Sequence, residues 1–414
     1  MVVGQGYVGL PLAMRGVEAG FDVVGIDVDE WRVNRLNAGG SYVEDISDDE
    51  VKAALRGGHY VASTDYSEAK NFDICLITVP TPLHEEAPDL RHIASAGRSI
   101  APLIQPGATV ILESTTYPGT TVEYLRPILQ KGSGLRAPED FFLGYSPERI
   151  DPGNSRWRLY NTPKVVSGID EYSLKKIEAF YRQIVREVVP VSSPPVAELC
   201  KLLENTFRHV NIALVNELSI FAQQLGIDVW EAIDAASTKP FGFMRFTPGP
   251  GVGGHCLPID PSYLSWTVKR GLGHNFRFVE LANDINRSMP SHVVHRLALA
   301  LNKRAKPIKG SQLVLLGLAY KKNAGDCRES PAIEVARSLS KLGAHVRAAD
   351  PHVDRFLLTL NIQIIEATCQ ELAQADAVVI LTDHDCFDYE LIEQVSPFIF
   401  DTRNRCRGHN VERL

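Results

Sequence analysis

The chain opens on Val2-Val3-Gly4-Gln5-Gly6-Tyr7-Val8-Gly9-Leu10-Pro11-Leu12-Ala13. Two β-branched residues run into three glycines spaced G-x-G-x-x-G, and a helical stretch follows that stops near Gly20. Strand, glycine turn and helix in that order suit a dinucleotide pyrophosphate. The glycines permit a tight turn and let the backbone approach the phosphates at a helix N-terminus. Asp22 to Asp27 reads as the second strand, and Asp27 stands 21 residues after Gly6. An acid there accepts hydrogen bonds from a ribose diol and repels a 2′-phosphate, so the pattern favours NAD over NADP. Gly4, Gly6, Tyr7, Val8, Gly9 and Asp27 are the expected cofactor residues. Arg32 either faces the adenosine ribose or is a solvated helix arginine, and the sequence leaves both open. Val2-Val3 is shorter than the about five residues of an ordinary strand, which suggests residues upstream of Met1.

Outward from this turn, the first half keeps alternating between strand-like and helix-like patterns. Asp73 to Val79, Ala108 to Leu112, Phe142 to Tyr145 and Lys164 to Ser167 read as strands. Pro194-Pro195 ends that character. From Val196 to Leu225, Leu199, Leu202, Leu203, Thr206, Phe207, Val210, Leu214 and Leu218 recur at helical steps, and a second helix reads from about Phe276 to Leu301. Alternation then returns with strands at Leu313–Leu316, His345–Ala349, Ala377–Leu381 and Phe398–Phe400. The two ends resemble each other: each has a strand into a glycine turn, a strand ending in Asp (Asp27, Asp350) and an Asp-apolar-Thr strand (Asp73–Thr78, Asp376–Thr382). The expected fold is α/β, with two doubly wound Rossmann-like domains joined by a long-helix, all-α centre. The expected boundaries are 1–193, 194–303 and 304–414. The C-terminal copy has Gly317-Leu318-Ala319 in place of G-x-G-x-x-G, so it is not expected to hold a pyrophosphate in the same way.

Composition narrows the class. The 414 residues are 44% hydrophobic and 22% charged, as in a soluble globular chain of two or three domains. No apolar run approaches a membrane span and no signal peptide opens the chain. A net charge of −7 argues against a general nucleic-acid or membrane-surface binder. Seven widely spaced cysteines without a C-x-x-C point away from disulfides and structural zinc, towards the cytoplasm.

Several segments carry candidate chemistry. Thr81 and Thr115 lie in loops after strands of the first sheet, where the ligand crevice of such sheets lies, although turn and cap chemistry uses the same residue types. Glu148 and Arg149 follow the Phe142–Tyr145 strand, where a carboxylate can serve as a catalytic base, although a loop Glu is usually solvated. Lys201 and Asn205, four apart on the long helix, share a face with Glu198 and Arg208; from the helix alone, a solvated stripe is the simpler reading. Pro248-Gly249-Pro250-Gly251-Val252-Gly253-Gly254-His255-Cys256 ends a flexible loop in a thiol, with Asp260 nearby. A thiolate there is a competent nucleophile, and a buried small hydrophobe is the equal alternative. Lys321, Lys322, Arg328 and Glu329 follow the first strand of the last third, where the three cations either meet phosphates or belong to a basic surface loop.

Taken together, GQGYVGLPLA, ESTTYPGTT, SPERIDPGN, AELCKLLENTFR, PGPGVGGHCLPIDPSYL and GLAYKKNAGDCRESPA resemble the UDP-glucose/GDP-mannose dehydrogenase family, in order and over nearly the whole chain. The resemblance implies oxidation of a nucleotide sugar C6 hydroxyl to a carboxylate with two NAD⁺, by a homodimer without nucleic-acid or membrane partners. It implies that Cys256 is the nucleophile and that Lys201 and Asn205 steady charge on the C6 oxygen. Asp260 matches an acid/base residue, and Thr115 and Glu148 match groups that handle water or the thioester. By the same likeness Thr81, Thr115 and Arg328 join the cofactor residues, and Glu148, Arg149, Lys201, Asn205, Phe246, Gly249, Gly253, Cys256 and Lys321 line the sugar-nucleotide site. The run Cys256-Leu257-Pro258-Ile259-Asp260 lacks the lysine frequent in glucose-specific members and is more similar to the N-acetylhexosamine branch. The rival readings are a two-electron β-hydroxyacid-type dehydrogenase, which needs no thiol, and a silent NAD or nucleotide-sugar sensor.

Overall fold

The computed structural model describes the chain apart from residues 44, 85–86, 152–153, 155, 255–256 and 354–361. It comprises two compact units, Met1–Glu204 with Ser262–Thr267, and Asn205–Pro261 with Val268–Leu414.

In the first unit the chain runs β1 (Val2–Val3), α1 (Gly9–Glu18), β2 (Val23–Ile26), α2 (Glu30–Asn37), α3 (Asp48–Arg56), β3 (Tyr60–Ser63) and β4 (Ile74–Ile77). A short hairpin, β5 (Leu83–His84) and β6 (Ala87–Pro88), precedes α4 (Arg91–Ile100), β7 (Thr109–Leu112), α5 (Arg126–Ser133), β8 (Phe142–Tyr145), β9 (Lys164–Gly168), α6 (Glu171–Ile184) and β10 (Val188–Pro190). Eight strands form one sheet in the order β10-β9-β8-β7-β4-β1-β2-β3. Alternate strand residues enter opposite cores: Val2, Leu76 and Ile111 on one face, Val3, Ile77 and Leu112 on the other. That period of two explains why the strands read as continuous apolar runs, since both faces are covered by helices. Strand order reverses between β1 and β4, whose following loops flank the crevice where such sheets bind ligands. The sequence pattern gave no sign of one feature: β9 pairs with β8 antiparallel, Gly144 opposite Gly168 and Tyr145 opposite Ser167. Residues 146–163 supply no crossover helix among the described residues, so the chain doubles back beside β8.

The helical centre is α7 (Pro194–Gln224), α8 (Val229–Ser237), α9 (Asp260–Leu272) and α10 (Arg277–Asn302). The last third forms β11 (Gln312–Leu316), α11 (Pro331–Lys341), β12 (His345–Ala349), β13 (Gln363–Ile364), α12 (Cys369–Ala373), β14 (Ala377–Ile380), α13 (Tyr389–Val395), β15 (Ile399–Asp401) and β16 (Val411–Arg413). Its sheet is parallel throughout, in the order β13-β12-β11-β14-β15-β16. Leu313 and Leu315 face one core, Val314 and Leu316 the other. The chain is therefore α/β, with two Rossmann-like sheets and a helical centre. The C-terminal strands Leu313–Leu316 and Ala377–Leu381 fall within a residue of where the sequence places them. The edge strands β3, β10, β13 and β16 are short and carry too little pattern to be read.

The C-terminal turn is closed by its own protein groups. Gly317 has φ +82°, and a Cβ there would meet the Thr382 carbonyl oxygen at 2.4 Å. The Leu318 and Ala319 amides donate to Asp350 Oδ2 at 2.7 and 2.8 Å, and His384 Nε2 lies 3.0 Å from the same oxygen. Burial pushes the Asp350 carboxyl up, but the His384 contact and the two amides outweigh it and hold it below its usual range. A folded value below the unfolded one means that Asp350 stabilises the protein above about pH 4 and loses that contribution as pH falls through the folded value. Asp350→Ala is expected to cost about 3–5 kcal/mol at pH 7, because it strands buried donors. Urea denaturation at pH 7 and pH 3 checks this, with the gap to the parent narrowing at the lower pH.

Candidate active site

The three glycines of the opening turn are needed for different reasons. Gly4 has φ +93°, and a Cβ would press on the Thr78 carbonyl oxygen at 2.9 Å. At Gly9 a Cβ would lie 1.7 Å from the Gly4 carbonyl oxygen. At Gly6 nothing lies within 4 Å of the Cβ position, so the turn keeps an open face there. No described side chain caps α1 and its first turn carries no acid, whereas Asp29, Ser47 and Asp170 cap α2, α3 and α6. Uncapped amides beside open space are a ready anion site, and a pyrophosphate fits it. Asp27, at the end of β2, is buried and accepts the Gln5 amide at 2.8 Å and the Asp29 amide at 3.0 Å. Arg32 Nη1 lies 3.3 Å from Asp27 Oδ2, so the arginine, although partly exposed, is paired with the acid that ends β2. Tyr7 is exposed and Val8 half-buried beside the turn.

Around the carboxyl edge of the same sheet, Thr81 Oγ1 donates to the Thr115 carbonyl at 2.8 Å, and Tyr263 OH donates to the Thr81 carbonyl. Glu148, for which a solvated loop residue was the plainer of two readings, is buried. The Ile150 amide donates to its Oε1, and Lys201 Nζ donates to its carbonyl oxygen. Arg149 is tied into the unit by Glu204 at 2.7 Å and the Pro163 carbonyl at 2.6 Å. The stripe on α7 is not solvated: Glu198 and Lys201 in this unit are buried, as is Asn205 in the other, and only Arg208 is exposed. Glu198 is a loop clamp, accepting the Gly119 amide at 2.6 Å and the Thr121 amide at 2.9 Å. It fixes the segment after β7 that carries Thr115.

In the second unit Asn205 Nδ2 donates to Asp260 Oδ2 at 2.5 Å, both residues buried. Cys256 and His255 lie outside the described residues. The loop that leads to them is held on both sides. Asn216 Oδ1 accepts the Gly249 amide at 2.9 Å and Asn216 Nδ2 donates to Asn286 at 2.9 Å. Gly251 has φ +128°, and a Cβ on Gly253 or Gly254 would strike Tyr320 at 2.8 Å. A Cβ on Gly249 would meet Arg403 Nη1 at 2.6 Å, which places a cation against the loop. Phe246, before the loop, is half-buried and packs edge-on to Phe207 with ring centres 5.8 Å apart. A cavity of about 440 Å³ is lined by Val252, Pro258, His209, Asn286 and Arg328. Arg328 is exposed and paired with Asp326 at 2.8 Å, and Lys321 is half-buried in the loop between β11 and α11. Asn216, Asn286, Tyr320 and Arg403 were not singled out from the sequence. A polar residue inside an apolar helix pattern is the one signal that could have marked the two asparagines. Among the other thiols, burial pushes Cys75 and Cys406 up to about 12, which keeps them protonated.

The family's NAD binding domain matches residues 1–185, its central domain residues 195–288 and its UDP binding domain residues 314–408. The chain belongs to the UDP-glucose/GDP-mannose dehydrogenase family. This dehydrogenase is 36% identical over 387 residues to the UDP-N-acetyl-D-mannosamine dehydrogenase of Pyrococcus horikoshii, covering 93% of this chain and 89% of that one. It is 38% identical over 356 residues to the UDP-N-acetyl-D-glucosamine 6-dehydrogenase of Pseudomonas aeruginosa, covering 85% and 82%. The structure of the Pyrococcus horikoshii enzyme superposes with a TM-score of 0.89 at 34% identity, over 100% of this chain and 98% of that one. A UDP-glucose dehydrogenase of Pyrobaculum islandicum superposes with a TM-score of 0.88 at 27% identity, over 99% and 95%. The chain is an NAD-dependent oxidoreductase of nucleotide sugars.

The glycine geometry separates folding from cofactor binding. Gly6→Ala is expected to fold with a melting temperature within a few degrees of the parent and to weaken NAD⁺ binding by about tenfold or more, by filling the open face. Gly9→Ala is expected to lose folded protein, because backbone blocks its Cβ. Melting curves and NAD⁺ titration distinguish the two.

Proposed function

We propose that the chain is a nucleotide-sugar 6-dehydrogenase carrying out a four-electron oxidation, with a UDP-N-acetylhexosamine as its sugar. The observation that carries the reading is the buried Asn205–Asp260 bond, four residues from the loop end that bears Cys256. A buried carboxylate oriented by an amide is suited to moving protons beside a nucleophile. The named relatives and the Cys256-Leu257-Pro258-Ile259-Asp260 run, which lacks an intervening lysine, favour the N-acetylated sugars. The division proposed is 1–193 for NAD, 194–303 for the helical centre and 304–414 for the nucleotide.

NAD⁺, when bound on the Gly4–Gly9 turn, supplies the two-electron acceptor for each of the two oxidations. The chain's own groups do the rest. Asp260 takes the C6 hydroxyl proton as the alcohol becomes an aldehyde. Cys256 then adds to C6: the carbon–sulfur bond forms and the carbonyl pair moves to oxygen, where the Lys201 ammonium and the Asn205 amide steady the charge. Loss of the remaining C6 hydride leaves a thioester. Water attacks it with Glu148 and Thr115 handling the water protons, the carbon–sulfur bond breaks, and the thiolate is restored. In sum, one alcohol, one water and two NAD⁺ give one carboxylate, two NADH and three protons. Arg403, Lys321 and Arg328 are the cations offered to the diphosphate and the cofactor.

We further propose a cytoplasmic homodimer built on α7. Phe207, Leu214, Leu218 and Phe221 recur on one side of that helix and are 45, 52, 46 and 50% exposed. A row of half-exposed large apolar residues on a long helix is suited to a two-fold contact with a second copy.

Incubation with NAD⁺ and each of UDP-N-acetylmannosamine, UDP-N-acetylglucosamine and UDP-glucose is expected to give two NADH per uronate, fastest with an N-acetylated sugar. Cys256→Ala is expected to form no uronate; a variant that keeps its turnover would fit a two-electron enzyme instead. In light scattering the parent is expected at twice the chain mass, and the double variant Leu214→Glu, Leu218→Glu at the monomer mass.

A further inference from the structure

One buried charge cluster in the first unit is not used by the mechanism above. Lys164 and Glu113 are 3 and 1% exposed. Lys164 Nζ lies 2.6 Å from Glu113 Oε2, donates to the Pro147 carbonyl at 3.1 Å, and lies 3.7 Å from Glu148 Oε2. Tyr181, on α6, donates to the other oxygen of Glu113. Glu148 Oε2 is buried with no hydrogen-bond partner among the described residues, so the Lys164 ammonium is the cation it faces.

The fold delivers these groups from three neighbouring strands. Glu113 follows β7, Glu148 follows β8, and Lys164 opens β9. Because β9 runs antiparallel to β8, its first residue lies at the carboxyl edge of the sheet, the edge that carries the crevice. A parallel β9 would put Lys164 at the opposite edge. A buried lysine held by one carboxylate and one carbonyl, and leaning on a second carboxylate, is costly unless its charge is used or fully matched. Burial pushes the Glu113 carboxyl up against the pull of Lys164, and the charge on Glu148 pushes the same way, so the two acids share one ammonium. The Tyr181 hydroxyl is raised by burial and by Glu113, which keeps it a donor to Glu113.

We propose that Lys164, anchored by Glu113 and Tyr181, is a positioning residue that fixes the carboxylate of Glu148 for the water step. The proposal rests on the assignment of Glu148 to that step. The titratable groups around Glu148 are Lys164, Glu113 and Tyr181, with Lys201 on its main-chain oxygen and Tyr145 at the end of β8.

The test measures kcat, KM and the pH dependence of kcat with NAD⁺ and whichever of UDP-N-acetylmannosamine and UDP-N-acetylglucosamine the parent oxidises. Lys164→Met is expected to lower kcat about 10- to 100-fold, to change KM less than about threefold, and to move the acid limb of the profile to higher pH. Lys164→Arg is expected to restore part of kcat and return the limb towards the parent. Glu113→Gln, which keeps shape and a Tyr181 acceptor, leaves the ammonium to Glu148 alone and is expected to move the limb to lower pH; it serves should Lys164→Met not fold. A folded Lys164→Met or Glu113→Gln enzyme with the parent's profile overturns the proposal while leaving the role of Glu148 intact. A Glu148→Gln enzyme with the parent's kcat overturns that role, and the proposal with it.

Discussion

Both sheets of this dehydrogenase depend on the same constraint: a backbone turn after the first strand is held between an aspartate from the neighbouring strand and a threonine from the strand across the switch point. In the first sheet Asp27 takes the Gln5 amide, and Thr78 Oγ1 donates to the Gly4 carbonyl at 2.8 Å. In the second Asp350 takes the Leu318 and Ala319 amides, and Thr382 Oγ1 donates to the Ala319 carbonyl at 2.6 Å. A glycine with positive φ stands at the pivot in each, Gly4 and Gly317. Buried amides need an acceptor, so the aspartate is a structural requirement of the turn before it is a ligand for anything.

The two turns diverge in what the clamp leaves over. In the first, α1 starts at Gly9 with an uncapped N-terminus, and the space at Gly6 is open. In the second, both amides after the glycine are consumed by Asp350, and α11 starts only at Pro331 with Ser330 as its cap. The intervening loop, Leu318 to Ser330, holds Tyr320, against which Gly253 and Gly254 pack. The same supersecondary unit thus offers an anion site in one copy and a loop support in the other. Fold alone would not separate those uses. Capping and free amides do.

The sequence made the strand-turn-helix units legible because a strand buried on both faces is an unbroken apolar run and a turn with positive φ demands glycine. Val314-Leu315-Leu316-Gly317 shows both signals within four residues. The apolar face of α7 was legible as periodicity, but which side of the helix is buried was not. Leu202 and Thr206 face inward while Leu203 and Phe207 are exposed, and all four fit the helical repeat. Glu148, Lys201 and Asn205 read as solvated from local pattern because local pattern cannot see a partner far along the chain. Each is buried against one: Lys201 on the Glu148 carbonyl, Asn205 on Asp260. The reversal of β9 was invisible for a related reason, since strand direction depends on the absence of a crossover and not on any residue within the strand.

That reversal bears on the charge balance of the site. The loops after β7 and β8 each bring a carboxylate, Glu113 and Glu148, to one edge of a sheet whose interior is apolar. Two uncompensated carboxylates there would repel each other and lose hydration together. An antiparallel β9 brings an ammonium to the same edge at the depth of both acids, where a parallel strand would bring the other end of its chain. The direction of one strand therefore decides whether acidic residues can be buried beside the crevice at all. A sheet that stayed parallel would have to keep that edge neutral or leave it wet.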